Sequence, residues 1–189
     1  MKIAKVMLES QSPYSQSKHI DVPKLDNEKH DEYENRTWRE RCHVDEAGRI
    51  VIPPNAFKGA LEGAARWLSM PIKGEGKKTY TKRFEAGIMI LEGITLPVKA
   101  TEVLRETLFV PSDGKPGGGR RVIKHFPQIC DWSGALTVHV LDEKITEDVF
   151  LKHMEQAGKF IGVGRWRPER RGSYGRFAVK SLEWIDDAV

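Results

Sequence analysis

Residues 158–177, Gly158 to Phe177, read G-K-F-I-G-V-G-R-W-R-P-E-R-R-G-S-Y-G-R-F. This stretch holds five glycines, five arginines and a lysine against a single acid, Glu169, with Trp166 and Tyr174 among the charges. Glycine has no Cβ, so backbone can approach a ligand closely and positive φ becomes cheap. Arginine presents a fixed fork of donors that suits phosphate, and aromatic faces stack on bases. Such chemistry serves a polyanion, nucleic acid first among them. The competing reading is an exposed basic loop with no ligand.

The elements that must position this loop are read from apolar spacing. Ala4, Val6 and Leu8 alternate over residues 2–9 and predict a first strand. From Ser10 to Arg49 the pattern dissolves into a polar loop and a dense run of mixed charge, read as an insertion between the first strand and the first helix. Pro53 and Pro54 then open a helix, with Asn55 as its N-cap candidate. Phe57, Ala60, Leu61, Ala64, Ala65 and Leu68 make its buried stripe, and Lys58, Glu62 and Arg66 its opposite face. Gly59 and Gly63 lie four apart in that helix, a spacing that admits another backbone closely. The helix is expected to stop before Pro71.

Residues 73–83 and 112–121 are two further basic, glycine-containing loops, and residues 86–93 read as a strand between glycines. Residues 101–110 fit either a helical turn or an extended segment. Residues 133–141 are the clearest strand. Thr146 is expected to cap a second helix over 147–157 that buries Val149, Phe150, Met154 and Ala157 and closes at Gly158. A brief strand at 160–163 and a final strand over 175–184 complete the chain. Strand, helix, strand, strand, helix, strand predicts an α+β, ferredoxin-like (RRM-like) βαββαβ antiparallel sheet with long loop insertions.

Composition narrows the function classes. The 189 residues fit one domain, 39% apolar and 31% charged, with a formal net charge of +4 that is bunched in the loops. Cys42 and Cys130 stand far apart, which fits a reducing cytoplasm better than a disulfide scaffold. No secretory signal and no apolar run of about 20 residues is read, so a cytoplasmic location is expected and a membrane one is not.

Two stretches resemble a known family. I-P-P-N-A-F-K-G-A-L (52–61) is similar to the signature that opens the first helix in the RAMP superfamily of CRISPR-associated proteins, and G-V-G-R-W-R-P-E-R-R-G-S-Y-G-R-F resembles that superfamily's C-terminal glycine-rich loop. The resemblance points to the backbone, crRNA-binding subunits of multisubunit effectors. It implies one RAMP-like domain over 1–189, an insertion at about 10–50, and RNA or single-stranded DNA held by its phosphates. It further implies copies of the chain side by side in a helical filament on a guide RNA, with other effector subunits as partners in antiviral defence. Asn55 and Lys58 match motif positions near the nucleic-acid backbone. Gly162, Gly164, Gly172 and Gly175 match the glycine loop, with Arg165, Arg167, Arg170, Arg171 and Arg176 as phosphate contacts and Trp166 and Tyr174 as stacking candidates.

Departures from the pattern shape the remaining expectations. Asn55-Ala56-Phe57 replaces the usual serine pair and leucine. Asp21, Asp26, Asp31 and Asp45 all lack the glycine and asparagine-proline setting of the RNA-cutting aspartate in some backbone subunits. No catalytic residue, cofactor or metal is assigned, so binding is favoured over catalysis. An endoribonuclease using His19, His30 or His43 on a ribose 2′-hydroxyl is the enzymatic alternative. A phage-encoded mimic of a CRISPR subunit, acting through protein contacts, is the third.

Overall fold

Ala4, Val6 and Leu8 alternate with Lys5, Met7 and Glu9, and they fold as β1 (Lys2–Ser10) with these three side chains fully buried. The structure is a computed structural model and describes residues 1–112, 117 and 119–186. Two short elements follow β1: the strand β2 (Tyr14–Ser15) and the helix α1 (His30–Thr37), which runs into a 3₁₀ turn at Trp38–Arg41. β3 (Arg49–Ile52) leads into α2 (Pro54–Leu68), and a loop then enters the short helix α3 (Thr81–Ala86). The chain continues through β4 (Ile88–Met89), β5 (Ile94–Lys99), β6 (Leu104–Pro111), β7 (Arg121–Ile129) and β8 (Ser133–Val140). It ends in α4 (Glu147–Gln156), a π turn at Ala157–Ile161, a 3₁₀ turn at Pro168–Arg170, and β9 (Phe177–Ile185).

The architecture is α+β, with antiparallel sheets and few helices, consistent with a RAMP or ferredoxin-like fold. Its central sheet has the order β4-β8-β1-β9, and every neighbouring pair is antiparallel. In this register Val6 stands between Leu136 and Leu182. A second sheet, β2-β7-β6, and the pair β3-β5 are built from the connections. Phe57, Leu61, Phe150 and Met154 from α2 and α4 and Leu8, Leu136 and Val138 from the sheet are at most 1% exposed and share one core. Each such side chain stabilises the fold by roughly 1.5–3 kcal/mol. Trp132 and Phe177 close that core, each within 6.4 Å of the Phe57 ring centroid.

Several expectations are corrected. Within 86–93 only Ile88 and Met89 pair, against Val140 and His139 of β8. Gly158 does not close the second helix. Its absent Cβ would lie 2.0 Å from the Phe177 carbonyl oxygen, so it admits β9, and the chain continues as a π turn to Gly162. That turn takes the place of the expected strand at 160–163. In the ambiguous 101–110 segment the chain turns over 101–103 and is extended from Leu104 as β6, which forms a long hairpin with β7. Residues 10–50, read as an insertion, hold β2, α1 and the start of β3, with a buried ion pair between Arg41 and Glu34 at 2.9 Å. Half of the basic loop read at 112–121 (residues 113–116 and 118) lies outside the described residues.

Candidate nucleic-acid interface

The glycine-rich loop folds upon itself before it can meet a ligand. The Val163 N–H donates to the Gly175 carbonyl at 2.9 Å, and the Tyr174 N–H donates to the Trp166 carbonyl at 3.0 Å, which draws the two limbs together. Gly175 takes a φ of +72°, and a Cβ there would stand 1.8 Å from the Val163 oxygen. At Gly172 it would stand 1.7 Å from the Trp166 oxygen. These glycines serve chain-to-chain approach inside the loop. Outside it, the Arg165 N–H donates to the Ser15 carbonyl and the Gly175 N–H to the Pro13 carbonyl, both at 2.8 Å, fixing the loop to the chain that follows β1.

The arginines divide into braces and free cations. Arg165 pairs with Glu106 of β6, donates through Nε to Ser15 Oγ at 3.1 Å, and lies 4.0 Å over the Phe126 ring. Burial lowers its pKa, against the opposing pull of Glu106. Tyr174 completes this brace: its hydroxyl donates to Glu106 Oε1 at 2.7 Å and accepts from Gln128 Nε2 at 3.1 Å. Burial, and then the Glu106 carboxylate, raise the Tyr174 pKa. Arg176 donates to the Lys159 carbonyl, and Arg167 bonds Glu169 Oε2 at 2.7 Å. Arg170 and Arg171 are exposed, and among the described residues neither side chain has a partner. Trp166 sits at φ 57°, half exposed, with its ring 5.9 Å edge-on from Tyr174.

Facing this loop is the start of α2. Pro53 occupies the N-cap position with no side-chain cap, and the first turn carries no acid. Pro53 and Pro54 bring no N–H and the Ala56 N–H donates to the Pro53 carbonyl at 3.0 Å, so the helix dipole and the Asn55 N–H are what this terminus offers an anion. Asn55 therefore lies within the first turn and not at the cap. Asn55, Ala56 and Gly59 of α2 line one wall of a cleft of about 530 Å³, and Gly162, Gly164, Arg165, Arg167 and Arg170 line the other.

The cleft brings together six of the thirteen residues expected to bind. Gly172, Tyr174, Gly175 and Arg176 are structural parts of the loop, and Trp166 and Arg171 stand on its outer surface. Lys58 is elsewhere. Its ammonium donates to the Phe84 and Glu85 carbonyls, both at 2.7 Å, and pairs with Glu62 at 3.0 Å, fastening α3 to α2.

The cleft also contains residues outside the expected binding set: Gln16, Arg66, and His43, which was named only for the enzymatic alternative. Arg66 had been placed with Lys58 and Glu62, but each four-residue step advances about 40° round a helix, which carries it to the cleft side. Gln16 is a strut, donating to the Val51 carbonyl at 2.7 Å and accepting from the His43 N–H at 2.8 Å. Burial, helped by Lys18, lowers the His43 pKa, so its imidazole is neutral at pH 7. Of the three histidines in the insertion, His43 alone lines this cleft.

No family model matches the sequence, and no curated protein matches it. Solved structures do. A chain of the type III-B Cmr-beta complex bound to cognate target RNA superposes with a TM-score of 0.58 at 9% identity, covering 97% of this chain and 60% of that one. Cmr6 from Pyrococcus furiosus superposes with a TM-score of 0.50 at 16% identity, covering 95% of this chain and 99% of that one. The chain thus spans 60% of the length of the first and nearly all of the second. At these identities the likeness is one of fold. This chain has a RAMP-like fold, that of the CRISPR-associated Cmr proteins.

Proposed function

We propose that this protein binds RNA or single-stranded nucleic acid by its phosphates, in the cleft between the α2 N-terminus and the glycine-rich loop. The observation that carries the reading is the acid-free N-terminus of α2 set across one open cleft from Arg167 and Arg170, with Arg66 of the same helix lining it too. Among the described residues Glu169 is the one acid that lines it, and Arg167 already pairs with that residue. A site of this composition holds a backbone and ignores base identity.

We further read the sheet order β4-β8-β1-β9, with α2 and α4 as crossovers, as a ferredoxin-like βαββαβ domain over residues 1–189 with an insertion at about 10–50. The RAMP-like fold supports a place in a CRISPR ribonucleoprotein, with a guide RNA and further effector subunits as partners. Copies lying side by side on one strand would multiply modest affinities. Native protein in such an assembly elutes as a large species absorbing at 260 nm that nuclease collapses.

Replacing Arg167 and Arg170 together by alanine weakens binding equally for unrelated sequences and reduces the salt slope by roughly 1.4, at about 0.7 per phosphate of a single strand. Unchanged affinity and slope in fluorescence anisotropy would overturn the cleft. A second reading, RNA cleavage, draws on the neutral His43 in the same cleft. It requires that labelled RNA be cut by the wild type and left whole by His43→Gln.

A further inference from the structure

One surface feature is used by neither the cleft nor the core. Trp67 is 62% exposed and Phe160 is 36% exposed, and their rings stack with centroids 5.3 Å apart and planes 30° from parallel. Two elements far apart in sequence are needed to place them. Trp67 closes the last turn of α2, and Phe160 is carried by the π turn, whose wider winding points it outward. Gly63 permits their meeting, because a Cβ there would stand 2.8 Å from the Ile161 side chain. The Lys159 ammonium lies 5.3 Å over the Phe160 ring, and the Arg176 guanidinium holds the Lys159 carbonyl.

The stack continues the face of α2 that forms the cleft. Asn55, Gly59 and Arg66 are exposed along the cleft side of α2, whereas Ala60 is buried and Gly63 is covered by Ile161, and Trp67 follows Arg66 at the end of that open side. From Gly59 to Trp67 is about 12 Å along the helix, or about four nucleotides of a stacked strand at 3.4 Å each. A strand gripped at the α2 N-terminus and running along this face therefore reaches the aromatic pair. We propose that Trp67 and Phe160 form a stacking platform for a nucleobase of the bound strand, with Lys159 against the adjoining phosphate. Protein partners also favour exposed tryptophan, but the Lys159 ammonium over the Phe160 ring sets a positive charge beside this pair, and the open side of α2 leads to it from a polyanion site.

The inference rests on the cleft reading, and its test separates the two. Anisotropy is measured with a labelled twelve-nucleotide RNA and with an abasic phosphodiester strand of equal length. Trp67→Ala lowers affinity for the RNA about tenfold to a hundredfold, the range expected for one base–aromatic stack. It leaves the salt slope and the abasic affinity unchanged, whereas Arg167→Ala/Arg170→Ala weakens both strands. Phe160→Ala gives a smaller loss of the same kind, and circular dichroism confirms that these exposed substitutions keep the fold. Equal loss on both strands, or no loss on RNA, overturns the platform while leaving the cleft standing. A wild type that holds neither strand removes the cleft and the platform together.

Discussion

Arg165 and Arg170 belong to one loop and look alike in sequence, yet their surroundings give them opposite roles. Arg165 is 14% exposed, paired to Glu106 and laid on Phe126, while Arg170 faces solvent at the cleft mouth. Arg165→Ala leaves the Glu106 carboxylate enclosed without a cation, which destabilises the fold by roughly 2–4 kcal/mol. Arg170→Ala shifts stability by no more than about 0.5 kcal/mol and acts on binding instead. Urea denaturation of the two variants measures the contrast, and equal midpoints would show that the brace carries no stability. The sequence displayed five arginines and their promise for phosphate. It hid which were spent inside the protein, because the partner of Arg165 lies 59 residues away and a pairing at that distance leaves no periodic trace. Lys58 was obscured in the same way by carbonyls of α3.

At the level of elements, α2 and α4 were legible because their burial follows a 3.6-residue period that few other structures share. The β6–β7 hairpin was not, although its residues alternate: Phe109 faces Ile123 and Thr107 faces His125 across the ladder. Pro127 and the scattered charges of R-V-I-K-H-F-P-Q-I weakened the strand pattern, and the hairpin stands out from the main core where apolar content is low. What fixes it is polar. Glu34 of α1 accepts from Arg41 at 2.9 and 3.1 Å and from the His125 backbone N–H at 2.7 Å, and Arg41 also donates to the His125 carbonyl at 3.0 Å. One carboxylate, 1% exposed, thereby joins the insertion to β7. Glu34→Gln keeps the shape but strands the Arg41 charge in the interior, and we expect a loss of about 3–5 kcal/mol. Amide hydrogen exchange places the effect: protection falls first over 30–41 and 121–129, with β1 and β8 retained. A uniform fall in protection would mean that the insertion and the central sheet unfold as one unit.

Across the whole molecule, burial depresses the pKa values of three histidines, His43, His125 and His153. His153 is fully buried and stacked 4.1 Å from Phe84; its Nδ1–H donates to the Val149 carbonyl at 2.6 Å, and its Nε2 has no partner among the described residues. Adding a proton there charges a ring enclosed by apolar groups. A histidine whose folded pKa lies below its ordinary 6.5 contributes stability that is fully present above 6.5 and is lost as pH falls through the folded value. Carboxylates act in another window. Glu28, hydrogen-bonded by Arg36, is held down at about 2, so its contribution persists until far lower pH. The thermal midpoint should therefore be flat above pH 7 and decline as pH falls below 6.5, ahead of the window in which Glu28 titrates. His153→Phe keeps a planar ring against Phe84 and removes the proton site, so its midpoint should decline less over that interval. An equally steep decline in the variant would assign the acid sensitivity to His43 and His125. Since His43 lines the cleft, its protonation adds a positive charge there, and strand binding should tighten over the same interval.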